Sequence, residues 1–202
     1  MTTGAIQEAF VIALAERGYE RVSMREIASI AGVGLGTLYL YFPNKDSIAA
    51  VTVNAWMRRH ANRMKSAMNE RPGSTVLERS EAMVGACAEE LLSQPAPWRA
   101  LLFLERRLTA PAVYQEVYLQ HLDIVAEAFA AASDWPADQD ARPVASHAFC
   151  ISEAMLRNAL LVHDVSPAME PLIATIQYAV RAAIQHALGR PKRGSSSPIV
   201  ET

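Results

Sequence analysis

Apolar residues in this 202-residue chain recur every three or four positions almost throughout, and Gly and Pro cut that pattern into short pieces. A period near 3.6 is the mark of helices with one buried face. No stretch alternates apolar and polar residues as a half-buried strand would, so the expected fold class is all-α, with about nine helices. No apolar run approaches the roughly 18 residues that span a bilayer, and Met1-Thr2-Thr3-Gly4-Ala5 has no basic, apolar leader. The expectation is a cytoplasmic protein with no membrane partner. There is no internal repeat.

The cuts are closest together at the start. Residues 5–17 place Ile6, Phe10, Ala13 and Leu14 on one face, and Gly18 supplies a left-handed stop. Ser23 is positioned to cap the next helix, with Glu26 reaching back and Val22 stapling against Ile27. That helix runs to Ala31, Gly32-Val33 turns the chain, and a third short helix covers 35–41. Pro43 breaks it, and Asn44 caps a long fourth helix to about 68. Three short helices with a glycine turn between the second and third make a helix-turn-helix pattern. Small Ala28 and Ala31 let two helices cross closely. Ile27, Ile30, Val33 and Leu38 are the expected core, while Gly34, Leu35, Thr37 and Leu40 fall toward the outer face of a helix of the size that enters a major groove.

Charge is divided the same way. The net charge is −2, yet residues 1–65 carry eight Lys/Arg against five acids, and the remainder eleven against sixteen. A basic head on an acidic body suits contact with phosphate, which needs only local positive charge.

The runs Ser23-Met24-Arg25-Glu26-Ile27-Ala28 and Ala31-Gly32-Val33-Gly34-Leu35-Gly36-Thr37-Leu38-Tyr39-Leu40-Tyr41-Phe42-Pro43-Asn44-Lys45-Asp46 closely resemble the signature of the TetR (tetracycline-repressor) family. The resemblance covers roughly residues 5–55. It implies a three-helix DNA-binding domain over 1–46, a helical effector-binding and dimerisation domain over 47–189, and a tail over 190–202 with nothing to bury. It implies phosphate contacts from Thr37, Tyr39, Tyr41 and Lys45, and an approach of Ser23 and Arg25 to the DNA backbone. Gly34 and Leu35 occupy positions that carry polar base readers in relatives. Here they offer no side-chain hydrogen bond, so readout is expected to rest on Thr37, on thymine-methyl contacts of Leu35 or Leu40, and on DNA shape. Met1 to Gln7 lack Lys and Arg, so little minor-groove contact is expected.

Beyond Arg71-Pro72-Gly73, the sequence predicts helices over about 76–93, 97–108, 111–133, 140–164 and 167–188, with Thr75-Val76-Leu77-Glu78 as a capping box and Ser166-Pro167 opening the last. Arg58, Arg59, Arg63 and Lys65 read as a solvated face. The last two helices carry broad apolar stripes, which serve either the internal core or a partner chain. The family likeness favours a homodimer through this pair, with Leu156, Ala159, Ile176, Val180 and Ile184 at the interface. It also implies an effector pocket between the fourth and eighth helices, where Trp98, Leu102, Phe103, Arg106, Tyr118, His121, Phe149 and Met155 lie. His121 and Arg106 are the groups that would orient a partly apolar small molecule.

No phosphate-binding Gly loop follows a strand, no His pair stands at i,i+4, and no nucleophile sits beside a base on a familiar scaffold, so neither catalysis nor a cofactor is expected. Cys87 and Cys150 lie in apolar segments without ligand spacing and read as core thiols, with no metal. The expected function is a ligand-responsive regulator, a repressor that binds an inverted-repeat operator as a dimer and is released by its effector. The alternative is a helical adaptor that keeps the head without sequence-specific DNA binding.

Overall fold

The structure, a computed structural model, describes residues 3–162 and 168–189. The expected Ser166-Pro167 cap and the 190–202 tail lie outside the described residues. Among the described residues there are nine helices and no strand: α1 (Thr3–Arg17), α2 (Met24–Ile30), α3 (Leu35–Tyr41), α4 (Lys45–Asn69), α5 (Val76–Ser93), α6 (Pro95–Leu108), α7 (Pro111–Ala130), α8 (Arg142–Leu161) and α9 (Met169–Leu188). None is long and apolar enough to cross a membrane.

Helix boundaries follow local chemistry. Ser23 Oγ accepts from the Glu26 N–H at 3.2 Å, which starts α2. The Glu26 carboxylate does not return to the cap; it pairs with Arg17 at 2.5 Å. Asn44 and Ser47 form a reciprocal box at the start of α4, and Thr75 and Glu78 do the same for α5. Pro95, Pro111 and Pro143 sit in first turns, where a missing N–H costs nothing.

The chain builds a small head and a larger body that meet along α4 and across α1 and α6. In the head, Ile6, Phe10 and Leu14 of α1 meet Val22, Ile27, Ala28, Leu38 and Phe42, over Ile48, Ala49 and Val53 of α4. Ile30 does not join this core: it remains 41% exposed, because Ile27 and Ala28 already fill the contacts of a seven-residue helix. In the body α5 is central, packing against α4 on one side and α8 and α9 on the other.

That arrangement corrects the residues expected at a dimer interface. Leu156, Ala159, Ile176, Val180 and Ile184 are all buried within the single chain. The inward stripe of α9 is covered by α5 and α8 of the same molecule, so these side chains belong to the core. The outward face of the pair instead presents Ala154 and Asn158 on α8, and Ala174, Tyr178 and Ala182 on α9, with Tyr178 76% exposed.

Candidate nucleic-acid interface and inner cavity

The turn between α2 and α3 is set by two hydrogen bonds. Gly32 N–H donates to the Ser29 carbonyl at 3.2 Å, and Val33 N–H donates to the Ala28 carbonyl at 2.9 Å. This is the paired pattern of a Schellman stop, which requires a left-handed residue between helix and exit, and Gly32 has φ +67°. The stop fixes where α3 leaves α2. Leu38, fully buried, and Phe42 then lock α3 by one edge, with Leu35 half-buried beside them.

The other side of α3 faces solvent. Thr37, Tyr39, Leu40 and Tyr41 are exposed, Leu40 at 86%, and Gly34 and Gly36 leave the backbone accessible at its start. Ser23 and Arg25, at the start of α2, are exposed as well. The structure thus holds Ser23, Arg25, Gly34, Thr37, Tyr39 and Tyr41 at the head surface, while Leu35 is partly withdrawn into the core.

Lys45 is placed differently from expectation. Its Nζ donates to the Tyr19 carbonyl at 2.7 Å and the Val22 carbonyl at 3.0 Å, and lies 4.3 Å from the centre of the Tyr19 ring. The ammonium ties the start of α4 to the α1–α2 turn, so in this conformation it points inward.

The residues expected around an effector scatter. Tyr118, His121 and Phe149 line a cavity of about 20 Å³ between α4, α6, α7 and α8, together with Met57, His60, Glu105, Glu153 and Arg157. Trp98 and Leu102 are buried in the surrounding core, and Met155 is half-buried. Phe103 and Arg106 are corrections. They lie on the outer side of α6, Phe103 60% exposed and the Arg106 guanidinium 4.4 Å from the Tyr114 ring.

Sequence reading missed the charged groups around this cavity. His60 Nδ1 lies 3.1 Å from Glu90 Oε2, and its Nε2 lies 3.7 Å from Glu153 Oε1. Arg157 bridges Glu153 at 2.6 Å and Glu105 at 2.7 Å. Burial opposes a charge on His60, but Cys87, Glu153 and Glu90 outweigh it and raise its pKa well above the usual histidine value. Glu153 is half-buried, and desolvation opposes its charge, yet His60 and Arg157 hold its carboxyl far below the usual range. His121 runs the other way: burial lowers its pKa, only partly offset by the Val117 carbonyl 2.8 Å from its Nδ1. The signal available in the sequence was the helical spacing of Glu153 and Arg157, but nothing local pairs them with His60 or Glu105.

Cys87 is buried, whereas Cys150 is exposed on α8, contrary to expectation, with Sγ 2.8 Å from the Tyr118 hydroxyl. Burial and then that contact push the Tyr118 hydroxyl up to about 12. Among the described residues no group of three or more His, Cys, Asp or Glu is placed to hold a metal ion. Arg58, Arg59, Arg63 and Lys65 are exposed on α4, as expected; Arg59 and Arg63 pair with Glu90 and Glu89 of α5.

Residues 8–51 match the family described as "Bacterial regulatory proteins, tetR family". The chain is 35% identical over 104 residues to the HTH-type transcriptional repressor KstR of Rhodococcus jostii, a stretch covering 49% of this chain and 47% of that repressor, so the match spans about half the relative's length. The fold as a whole is like that of the fatty acid degradation regulator FadR from Bacillus halodurans, with TM-score 0.70 and 23% identity, covering 89% of this chain and 97% of that one. It is also like FadR from Bacillus subtilis, solved in complex with stearoyl-CoA, with TM-score 0.68, 20% identity and coverage of 91% and 98%. With the glycine turn and the exposed third helix in register, the head over residues 8–51 is similar to that of the tetR family of bacterial regulatory proteins, and the all-helical body has the fold of the solved regulators.

Proposed function

We propose that this protein is a ligand-responsive transcriptional regulator, a repressor that binds an inverted-repeat DNA site as a homodimer through α2 and α3. The observation that carries the reading is the outer face of α3, where Thr37, Tyr39, Leu40 and Tyr41 stand exposed on a helix locked by Leu38 and the Gly32 stop. Large exposed apolar and aromatic side chains on a short rigid helix mark a binding surface. Glycines at the start of α3 let its backbone amides approach a phosphate closely.

Phosphate contacts come from Ser23, Arg25, Thr37, Tyr39 and Tyr41, and base readout from Thr37 and the thymine-facing methyls of Leu40 and Leu35. Lys45 supports the head that presents them. The KstR relative is called a repressor, which favours repression over activation here. A dimer is proposed through the outward face of α8 and α9, where small Ala154, Ala174 and Ala182 allow close approach around Tyr178. The effector-responsive region is the body around His60 and His121, whose charged groups join α4, which starts in the head, to α5 and α8. A ligand weakens DNA binding only by its differential affinity for the conformation that disfavours DNA.

The test is fluorescence anisotropy with labelled duplex across a salt series. The wild type is expected to bind with affinity falling steeply as salt rises, and Arg25→Ala is expected to reduce the logarithmic slope by about 0.9, the value for one phosphate contact. Salt-independent binding, or no binding by a folded protein, contradicts the reading.

A further inference from the structure

His60, on α4, is 4% exposed and turns both ring nitrogens toward carboxylates. Nδ1 lies 3.1 Å from Glu90 Oε2, and a carboxylate only accepts, so Nδ1 carries a proton. Nε2 has no hydrogen-bond partner among the described residues. Glu153 Oε1 stands 3.7 Å from it, close enough to favour a proton there and too far for a hydrogen bond. Glu153 lines the inner cavity and Glu90 does not, so the Nε2 edge of the ring is the one that faces it. A buried N–H without an acceptor is costly, and in native proteins such a group takes a water or a ligand as its partner.

The walls restrict what that partner can be. The charged side chains lining the cavity are His60 and Arg157 against Glu105 and Glu153, two of each sign. Arg157 already bridges the two carboxylates, at 2.7 Å to Glu105 and 2.6 Å to Glu153. An added ion would leave a charge unmatched in a largely desolvated place, so the partner is neutral. It has to accept from His60 Nε2 and donate to Glu153 Oε1. A hydroxyl does both, whereas an ether only accepts and an ammonium only donates. The volume, about 20 Å³, suits one water. Aromatic rings stand around it, Phe149 lying 5.3 Å from Tyr118 and 6.0 Å from His121. The outer wall is the least fixed: no residue of 111–120 is buried, and Tyr114, Val117 and Tyr118 close the cavity from that side. Water fits between these walls as they stand, and a hydroxylated ring fits once the outer one moves away.

We infer that the inner cavity is a hydroxyl-binding site, in which a neutral O–H group accepts from His60 Nε2 and donates to Glu153 Oε1. The group belongs to water or to a small hydroxylated aromatic ligand. Either one joins α4, which starts in the head, to α8 in the body. The ligand source rests on the reading of this region as effector-responsive; the hydroxyl site itself does not.

The experiment is a pair of crystal structures of the full chain, free and grown with phenol, beside isothermal titration with phenol, anisole and toluene. Anisole only accepts and toluene does neither. The free chain is expected to show a water oxygen within about 3.2 Å of both His60 Nε2 and Glu153 Oε1, and phenol to put its own oxygen there. Phenol is expected to bind at least about tenfold more tightly than anisole, since anisole leaves the carboxylate without its donor. His60→Phe keeps a ring and removes the donor, and is expected to lose that preference. Its melting temperature reports whether it folds, and the wild-type series decides without it. Water at the site with no binding of phenol assigns the hydroxyl to water and overturns the ligand source. A phenol oxygen there, with no water in the free chain, assigns it to the ligand. No oxygen in either crystal overturns the site, and anisole or toluene binding as tightly as phenol overturns the requirement for a hydroxyl. These measurements use no DNA, so failure to bind any duplex bears on the regulator reading alone.

Discussion

Lys45 and His60 show how a single side chain acquires a role from what surrounds it. The Lys45 ammonium donates to two backbone carbonyls, of Tyr19 and Val22, that have no helical partner of their own. Lys45→Ala leaves both without that donor, and is expected to lower the stability of the head by about 1–3 kcal/mol. Thermal unfolding measures the loss; Lys45→Ala with wild-type stability would show the two bonds to be dispensable. His60 is raised above the usual histidine value of 6.5 in the folded chain. A group raised on folding contributes stability that is fully present below its unfolded pKa and is lost as pH rises through its folded pKa. Glu153 and Glu90, lowered on folding, contribute above the usual 4.5 and lose their contribution as pH falls through their folded values. His121 is lowered and costs stability as pH falls below 6.5. The difference between wild type and His60→Gln isolates the His60 contribution: the wild type's advantage is expected to shrink as pH rises above 6.5, read by denaturant unfolding across pH. A constant advantage would mean that His60 does not carry the charge.

Among the elements, the α2–α3 turn is the most exacting. Gly32 sits at φ +67° with nothing crowding the place of a Cβ, so Gly32→Ala meets backbone strain and no clash. The expected loss is about 1–2 kcal/mol of head stability, together with weaker DNA binding as the α2–α3 angle relaxes. Such features were readable in the sequence because their chemistry is local: Ser23, Asn44, Thr75 and Gly32 act on residues within five positions. Orientation across elements was not readable. Ile176 and Tyr178 both fall in an apolar stretch of α9, and only the packing of α5 decides that the first is buried and the second exposed. Phe103 was expected in an inner pocket for the same reason; the rotation of α6 turns Leu102 inward and Phe103 out. The charge cluster depends on pairs such as Arg157 with Glu105 and His60 with Glu90, thirty or more residues apart, which no spacing rule anticipates.

At the scale of the whole molecule the proposal needs two heads. Ala182→Glu or Tyr178→Glu on the outward face of α9 is expected to yield folded monomers in sedimentation, with much weaker DNA binding. Ile176→Glu, which buries a charge inside the chain, is expected to unfold it. A folded dimer in both surface variants would place the two-fold axis elsewhere. The most direct test of the regulator reading is selection of bound duplexes from a random DNA pool at physiological salt, followed by sequencing. Enrichment of an inverted repeat, with half-site centres about one turn, roughly 34 Å, or a multiple of it apart, is the expected result. A folded, dimeric protein that enriches no sequence would contradict it.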